Sequence, residues 1–469
     1  MRNIVISFKQ ISILLMYMST LYLFRRDLRL VDNMALFYAT KTEKIIPCFI
    51  FTPEQVTTKN KYRSEHAIQF MVESLDALDQ DLRKHNSRMH YFQGDNIDIL
   101  TKIIRLIDVK QVVFAKDYTP YAEQRDKKIQ IWCKKNSIDC VSVEDYLLAD
   151  IGTFLKDNEE PYKVFTPFKN YVLQKEKEIA KPKKYALENL FKTDKLLPIE
   201  SGLLYRDIVH PQQLVRGGRK RGLSLLQKST SRTEYDEKRN LLTYESTHLS
   251  AYIKFGCVSI REVFWKWKSV SPGLLGQLIW REFYYYIIYF YPEGLRGVPF
   301  QTKYKDMKWE KNTTYINAWK NGMTGYPVVD AGIRQMIATG YMSNRSRLIT
   351  SNFLVRILGQ DWRIGEKYFA TMLTDYDPSV NNGNWQWVSS VGVDPKPHFQ
   401  RLFNPWNQSK QYDEHAKYIK KWVPELREIS SEHIHEWDKY ALQYKTKYPS
   451  PIVNYKERRE LSLAQYRNK

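Results

Sequence analysis

Within thirteen positions, DYDPSVNNGNWQW places Asp375, Asp377, Asn381, Asn382, Trp385 and Trp387 on one short stretch. Indole gives up a single electron more readily than other side chains, and an Asp/Asn nest can hydrogen-bond the edge of a polar ring system. The combination suits a redox-active heterocycle. Two further indoles stand upstream, Trp362 in QDWRIGEKYF and Trp309 in KDMKWEKN. A single tryptophan in such a sequence is ordinarily a core aromatic. The concentration of polar groups around several indoles is what separates this cluster from packing.

Other candidates fall on helical patterns. In LLGQLIWREFYYYIIYFYP (274–292), Gln277, Trp280, Arg281 and Tyr284 share one face by i, i+3, i+4, i+7 spacing, and Pro292 ends the run. In STHLSAYIKFGCVS (246–259), hydroxyl side chains meet a helix start, which offers backbone N–H groups to a pyrophosphate. In GYMSNRSRLITSNFL, Asn344, Arg347 and Leu348 lie on one face, and an ion pair between Arg347 and Asp375 is expected beside the polar ring.

The elements that position these groups divide in two. Strand patterns at Leu21–Phe24, Ile45–Phe51, Met89–Phe92, Gln111–Ala115 and Cys140–Val143 alternate with helices, the clearest at Ser64–Asn86. Such alternation predicts a doubly wound parallel sheet over 19–150. No GxGxxG follows the first strand, so a Rossmann-type dinucleotide grip is excluded there. Residues 151–234, with the basic run RGGRKRG, read as a partly ordered linker. Residues 235–455 read as all-helical and 456–469 as a basic end. Residues 1–18 are taken as an uninformative extension: Met18 directly precedes a strand, and an overextended start explains Arg2, Lys9 and the apolar 11–17 better than a transit peptide.

Composition limits the function. The chain has 469 residues, 43% hydrophobic and 14% aromatic, which excludes disorder and provides core for two domains. A formal charge of +21 points to an acidic partner, most simply nucleic acid. Cys48, Cys133, Cys140 and Cys257 are scattered without a CxxC pair, against a disulfide scaffold or a metal centre and in keeping with a reducing compartment. No apolar run reaches eighteen residues, so no membrane span is expected.

Taken in order, LYLFRRDLRL, HLSAYIKFG, LIWREFY, GYPVVDAGIRQM, NRSRLIT, DWRIGEKYF and NNGNWQW resemble the photolyase/cryptochrome family over residues 19 to about 455. NNGNWQW followed by RLFNPWNQSKQYD is most similar to the class I cyclobutane pyrimidine dimer (CPD) photolyases. The resemblance implies an α/β antenna domain with a Rossmann-like sheet, followed by an all-helical domain holding a U-shaped FAD, active as FADH⁻. It places Tyr235, Ser246, Thr247, Leu249 and Ser250 on the phosphates and ribityl chain. Gln277, Arg281, Asn344, Arg347, Asp375, Asp377 and Asn381 would surround the flavin, with Asn381 facing its N5. Trp385, Trp362 and Trp309 would relay an electron to the photoexcited flavin. Trp280 and Trp387 would stack on flipped bases, with Gln277, Asn344 and Leu348 beside the lesion and Arg239 and Arg345 on its flanking phosphates. The implied reaction is light-driven dimer splitting in UV-damaged DNA by a monomeric intracellular enzyme, cytoplasmic or nuclear according to host and not secreted.

The pattern has departures. Gln277 stands where class I enzymes usually carry glutamate, and Leu348 replaces a methionine. Glutamine at that place is common in (6-4) photolyases and cryptochromes. The (6-4) enzymes, however, resemble one another in a histidine-rich 342–348 segment, and this chain has Ser343, Asn344 and Leu348 there. His398 lies outside that motif and reads as a surface residue. A cryptochrome photoreceptor is the main alternative, and it lacks a long C-terminal extension here. Tyr121 and Ala122 occupy the places of an Asn–Glu pair expected for a folate antenna, leaving folate, deazaflavin, flavin or no second chromophore open.

Overall fold

The computed structural model describes residues 19–393 and 398–467, leaving the N-terminal 1–18 and the side chain of His398 outside it. Strands β1 (Ser19–Leu23), β2 (Lys44–Phe51), β3 (His90–Gln93), β4 (Val109–Ala115) and β5 (Asp139–Val143) form one parallel sheet ordered β3-β2-β1-β4-β5. Every residue of β1 is buried, because helices cover both faces of the sheet and no polar/apolar alternation is required. The strand order reverses between β1 and β4, which opens a crevice at their C-terminal ends.

Helix α1 (Glu65–Arg83) is capped by Ser64, whose hydroxyl accepts from the Ala67 N–H, and it buries Ile68, Met71, Leu75, Leu78 and Leu82. It ends before the expected Asn86, which takes φ of 55° in the turn. Helix α2 (Pro120–Lys135) follows β4.

The stretch 151–234 is folded onto both halves of the chain, unlike a partly ordered linker. Its helix α3 (Phe165–Gln174) buries Phe168 and Val172 completely. Farther on, Asn189 and Phe191 exchange backbone hydrogen bonds with Ile45 at 2.9 and 2.7 Å. The physical reason lies in VFTPF, an aromatic pair on a helix start that a basic linker does not need. Helix α4 (Arg219–Lys228) is tied down by Arg219, which binds both oxygens of Glu262.

The C-terminal half contains α5 (Ser250–Lys254), α6 (Ile260–Trp267), α7 (Pro272–Phe290), α8 (Asn344–Asn352), α9 (Trp362–Met372), α10 (Pro378–Val388) and α11 (Tyr455–Arg467). One hydrophobic core runs through both halves, joining Phe24, Phe70 and Tyr118 to Tyr252, Phe255, Phe264 and Tyr285. A second lies wholly among the later helices and holds Trp319, Trp362, Trp385 and Trp437. The junction is also ionic. Buried Asp145 pairs with Arg29 and Arg261, and Arg261 pairs with buried Asp32 at 3.1 Å. Removing one member of such a network leaves a buried charge uncompensated and costs about 3–5 kcal/mol, so the two halves are held in one register.

Candidate active site

Helices α5, α7, α8, α9 and α10 converge on a cavity of about 470 Å³, a size typical of small-molecule sites. Gln277, Trp280, Arg281 and Tyr284 line it as one face of α7, as their spacing predicts. The Arg281 guanidinium lies over the Tyr285 ring at 4.7 Å, and its Nη1 is buried without a hydrogen-bond partner. That nitrogen lies 4.0 Å from the carboxylate of buried Glu282, which is not part of the cavity wall.

The polar end is built on α8 and α10. Arg347 Nη2 donates to both oxygens of Asp375, at 3.0 and 2.8 Å, while its Nε holds the Met342 carbonyl. The expected ion pair is therefore present. Asp377 caps α10 through the Ser379 and Val380 N–H groups, and its other oxygen accepts from Arg26 and Tyr285. Asn381 donates through Nδ2 to the Glu366 carbonyl and carboxyl, both at 3.0 Å. Burial pushes the Glu366 carboxyl up to about 7 against the pull of that bond.

Tyr235, Arg239, Ser246, Thr247, Leu249, Ser250, Asn344, Leu348 and Trp387 also line the cavity. The Ser246 hydroxyl pairs with Tyr341 at 3.0 Å. Trp385 is buried where α10 meets α9, its ring against Gly365 and edge-on to Phe369 at 4.9 Å. Trp362 lies one turn before Gly365, fully buried, with its indole N–H unpartnered. Trp309 is half-buried on the second core. Neither Trp362 nor Trp309 lines the cavity, as an outward series would require. Arg345 also stands outside it, holding Asn240 and Gln408.

Among the cavity residues that escaped the sequence reading are His248, Lys254 and Tyr376. His248 stands edge-on to Tyr341 at 5.0 Å, and burial lowers its pKa. Lys254 follows Ser250 by one helical turn, a signal that could have found it. Burial and then the nearby Arg26 charge lower its ammonium to about 7, against Asp377 and Asp375. Tyr376 stands between the two aspartates.

Lys254 and Tyr376 also line a second cleft of about 720 Å³, which opens at the sheet's switch point between the ends of β1, β2 and β4. Arg25, Arg26 and Arg125 border it, and each has a buried guanidinium nitrogen without a hydrogen-bond partner. Arg26 bridges the cleft to the first cavity through Asp117 at 2.8 Å and Asp377 at 3.0 Å. Tyr121 lies in its wall, nearly half exposed.

Two family models match the chain: DNA photolyase over residues 20–185, and the FAD binding domain of DNA photolyase over 274–468. The deoxyribodipyrimidine photo-lyase of Buchnera aphidicola subsp. Acyrthosiphon pisum is 34% identical, the match covering 95% of this chain and 96% of that protein. The corresponding enzyme of Escherichia coli K12 is 32% identical over 94% of this chain and 97% of its own. Among solved structures, an archaeal photolyase from Sulfolobus tokodaii holding two FAD molecules superposes with a TM-score of 0.86 at 38% identity, covering 96% of this chain and 100% of that one. With its parallel sheet, its helical flavin half and relatives matched almost end to end, the chain belongs to the DNA photolyase family.

Proposed function

We propose that the chain is a light-driven photolyase that splits cyclobutane pyrimidine dimers in DNA, with FAD in the 470 Å³ cavity. One observation carries the reading. A single cavity is lined at once by the Arg347–Asp375 pair, Asn381 and Trp385, which suit a flavin, and by Trp280, Trp387 and Gln277, which suit a flipped dinucleotide. The relatives named deoxyribodipyrimidine photo-lyase support it over nearly the whole chain.

Bound and reduced, FAD supplies the photoexcited electron that opens the cyclobutane ring and is then returned. The protein positions and insulates. Tyr235, Ser246, Thr247, Leu249 and Ser250 hold the phosphates and ribityl chain. Arg281, on the same face of α7 as Gln277, would contact the cofactor from the cavity wall. Arg347 and Asp375 fix each other beside the ring, and Asn381 presents its carboxamide with Nδ2 anchored by Glu366. Trp385, on the cavity wall, would be the indole from which an oxidised flavin draws an electron, with Trp362 at the start of α9 and Trp309 on the second core as the further donors of the proposed relay. Gln277 meets the bases by hydrogen bonds and carries no negative charge. Arg239 and Arg345 take phosphates. Among the described residues His248 is the one imidazole on the cavity, and it lies outside the 342–348 segment that serves (6-4) repair. The second cleft would take a second chromophore, and its wall carries Arg25, Arg26 and Arg125, each already paired with a carboxylate. Incubation with UV-irradiated plasmid tests the reading: dimers should disappear under blue light and persist in the dark. Equal dimer counts in both arms would refute it.

A further inference from the structure

Trp280 does not offer both faces to the cavity. Phe165, the first residue of α3, lies flat on it with ring centroids 3.6 Å apart and planes 7° apart. Phe165 is not part of the cavity wall. It also meets Phe283 at 5.9 Å, a residue of α7 that is fully buried and faces away from the cavity. The stack therefore covers the outer side of the indole. Tyr284, also on the cavity wall, is offset-stacked with the indole, 5.5 Å away at 29°.

We propose that Phe165 is a positioning residue for lesion recognition, fixing the plane of Trp280 so that its inner face meets a flipped pyrimidine already oriented. The inference rests on the reading of Trp280 as a base platform. Both rings are only half-buried, so core filling does not account for the contact; an aliphatic side chain would cover the same area without selecting a plane. Phe165 is itself held, since α3 is pinned one turn later by fully buried Phe168, which packs against Phe283 and Tyr286. An indole kept in one orientation loses less freedom when a base arrives, which appears as affinity. Trp387 is backed similarly, by the Arg401 guanidinium 4.1 Å from its ring.

The test uses the FAD-loaded full chain with Phe165→Ala, Phe165→Leu, Phe165→Tyr and Trp280→Ala, and duplexes with and without one thymine dimer. Phe165→Ala and Phe165→Leu should each bind the damaged duplex about five- to tenfold more weakly. Affinity for undamaged duplex, flavin content and repair yield of the saturated complex should stay at wild-type values. Phe165→Tyr, which keeps the flat ring, should restore lesion affinity. Wild-type lesion binding by Phe165→Leu would reduce Phe165 to packing and overturn the inference, as would equal weakening on both duplexes. Trp280→Ala separates the two failures. If it binds the lesion normally, the platform reading itself falls; if it alone weakens binding, only the role of Phe165 falls.

Discussion

Trp385 is the side chain on which the redox reading turns. It lines the 470 Å³ cavity on one side and rests on α9 on the other, and α9 begins with Trp362. Replacing it with phenylalanine keeps most of the packing and removes the oxidisable indole. Trp385→Phe should therefore slow photoreduction of oxidised flavin at least tenfold, followed by flavin absorbance under blue light. Repair by chemically reduced enzyme should remain near wild type. Equal loss of both activities would remove Trp385 from the relay. Glu282 shows a different residue-level effect. Burial pushes its carboxyl up to about 8, opposed by Arg281, and one oxygen accepts from the Leu148 N–H while the other makes no hydrogen bond and lies 4.0 Å from Arg281 Nη1. The folded chain thus keeps a proton that the unfolded chain loses above its ordinary carboxylate pKa. Stability from this group is greatest at low pH and falls as pH rises from about 4.5 to about 8. Glu282→Gln should flatten that slope and be the more stable form at pH 8 by about 2 kcal/mol. Urea midpoints at pH 5 and pH 8 check this, and parallel slopes for both proteins would contradict it.

Between elements, α9 and α10 fit closely at Gly365. A Cβ on Gly365 would overlap the Trp385 ring and crowd Leu354, so the helices pack as they do because that position carries none. Gly365→Ala should cost about 1–3 kcal/mol by overpacking and displace Trp385, read as a lower melting temperature together with slower photoreduction. An unchanged melting temperature would contradict the packing. Much at this scale was legible in the sequence. The strands were visible as β-branched and aromatic runs, and the i, i+3, i+4, i+7 face of α7 reaches the cavity as read. Arg347 and Asp375 were legible as partners because each stood in its own polar motif. What stayed hidden depends on contacts distant in sequence. Lys254 and Tyr376 acquire meaning only because two cavities share them as a wall, and the stack of Phe165 on Trp280 joins residues far apart in sequence, outside any local pattern. The linker reading of 151–234 failed for the same reason, since its charge was visible and its buried Phe168 was not.

Across the whole molecule, sheet crevice and helical cavity meet at Arg26, which ties Asp117 of one half to Asp377 of the other. No helix among the described residues is long and apolar enough to cross a membrane. The formal charge of +21 should express itself as salt-dependent DNA binding. Arg345→Ala should weaken binding to damaged and undamaged duplex alike and lower the slope of log affinity against log salt by about one. An unchanged slope would exclude a phosphate contact at Arg345. The central claim, that this fold repairs cyclobutane dimers with Gln277 in place of a carboxylate, is tested most directly by anaerobic illumination of the FAD-reduced protein. Two oligonucleotides are compared, one with a cyclobutane thymine dimer and one with a (6-4) product. The account predicts restoration of the first alone. Restoration of the (6-4) product, or of neither despite bound flavin and normal photoreduction, would contradict it.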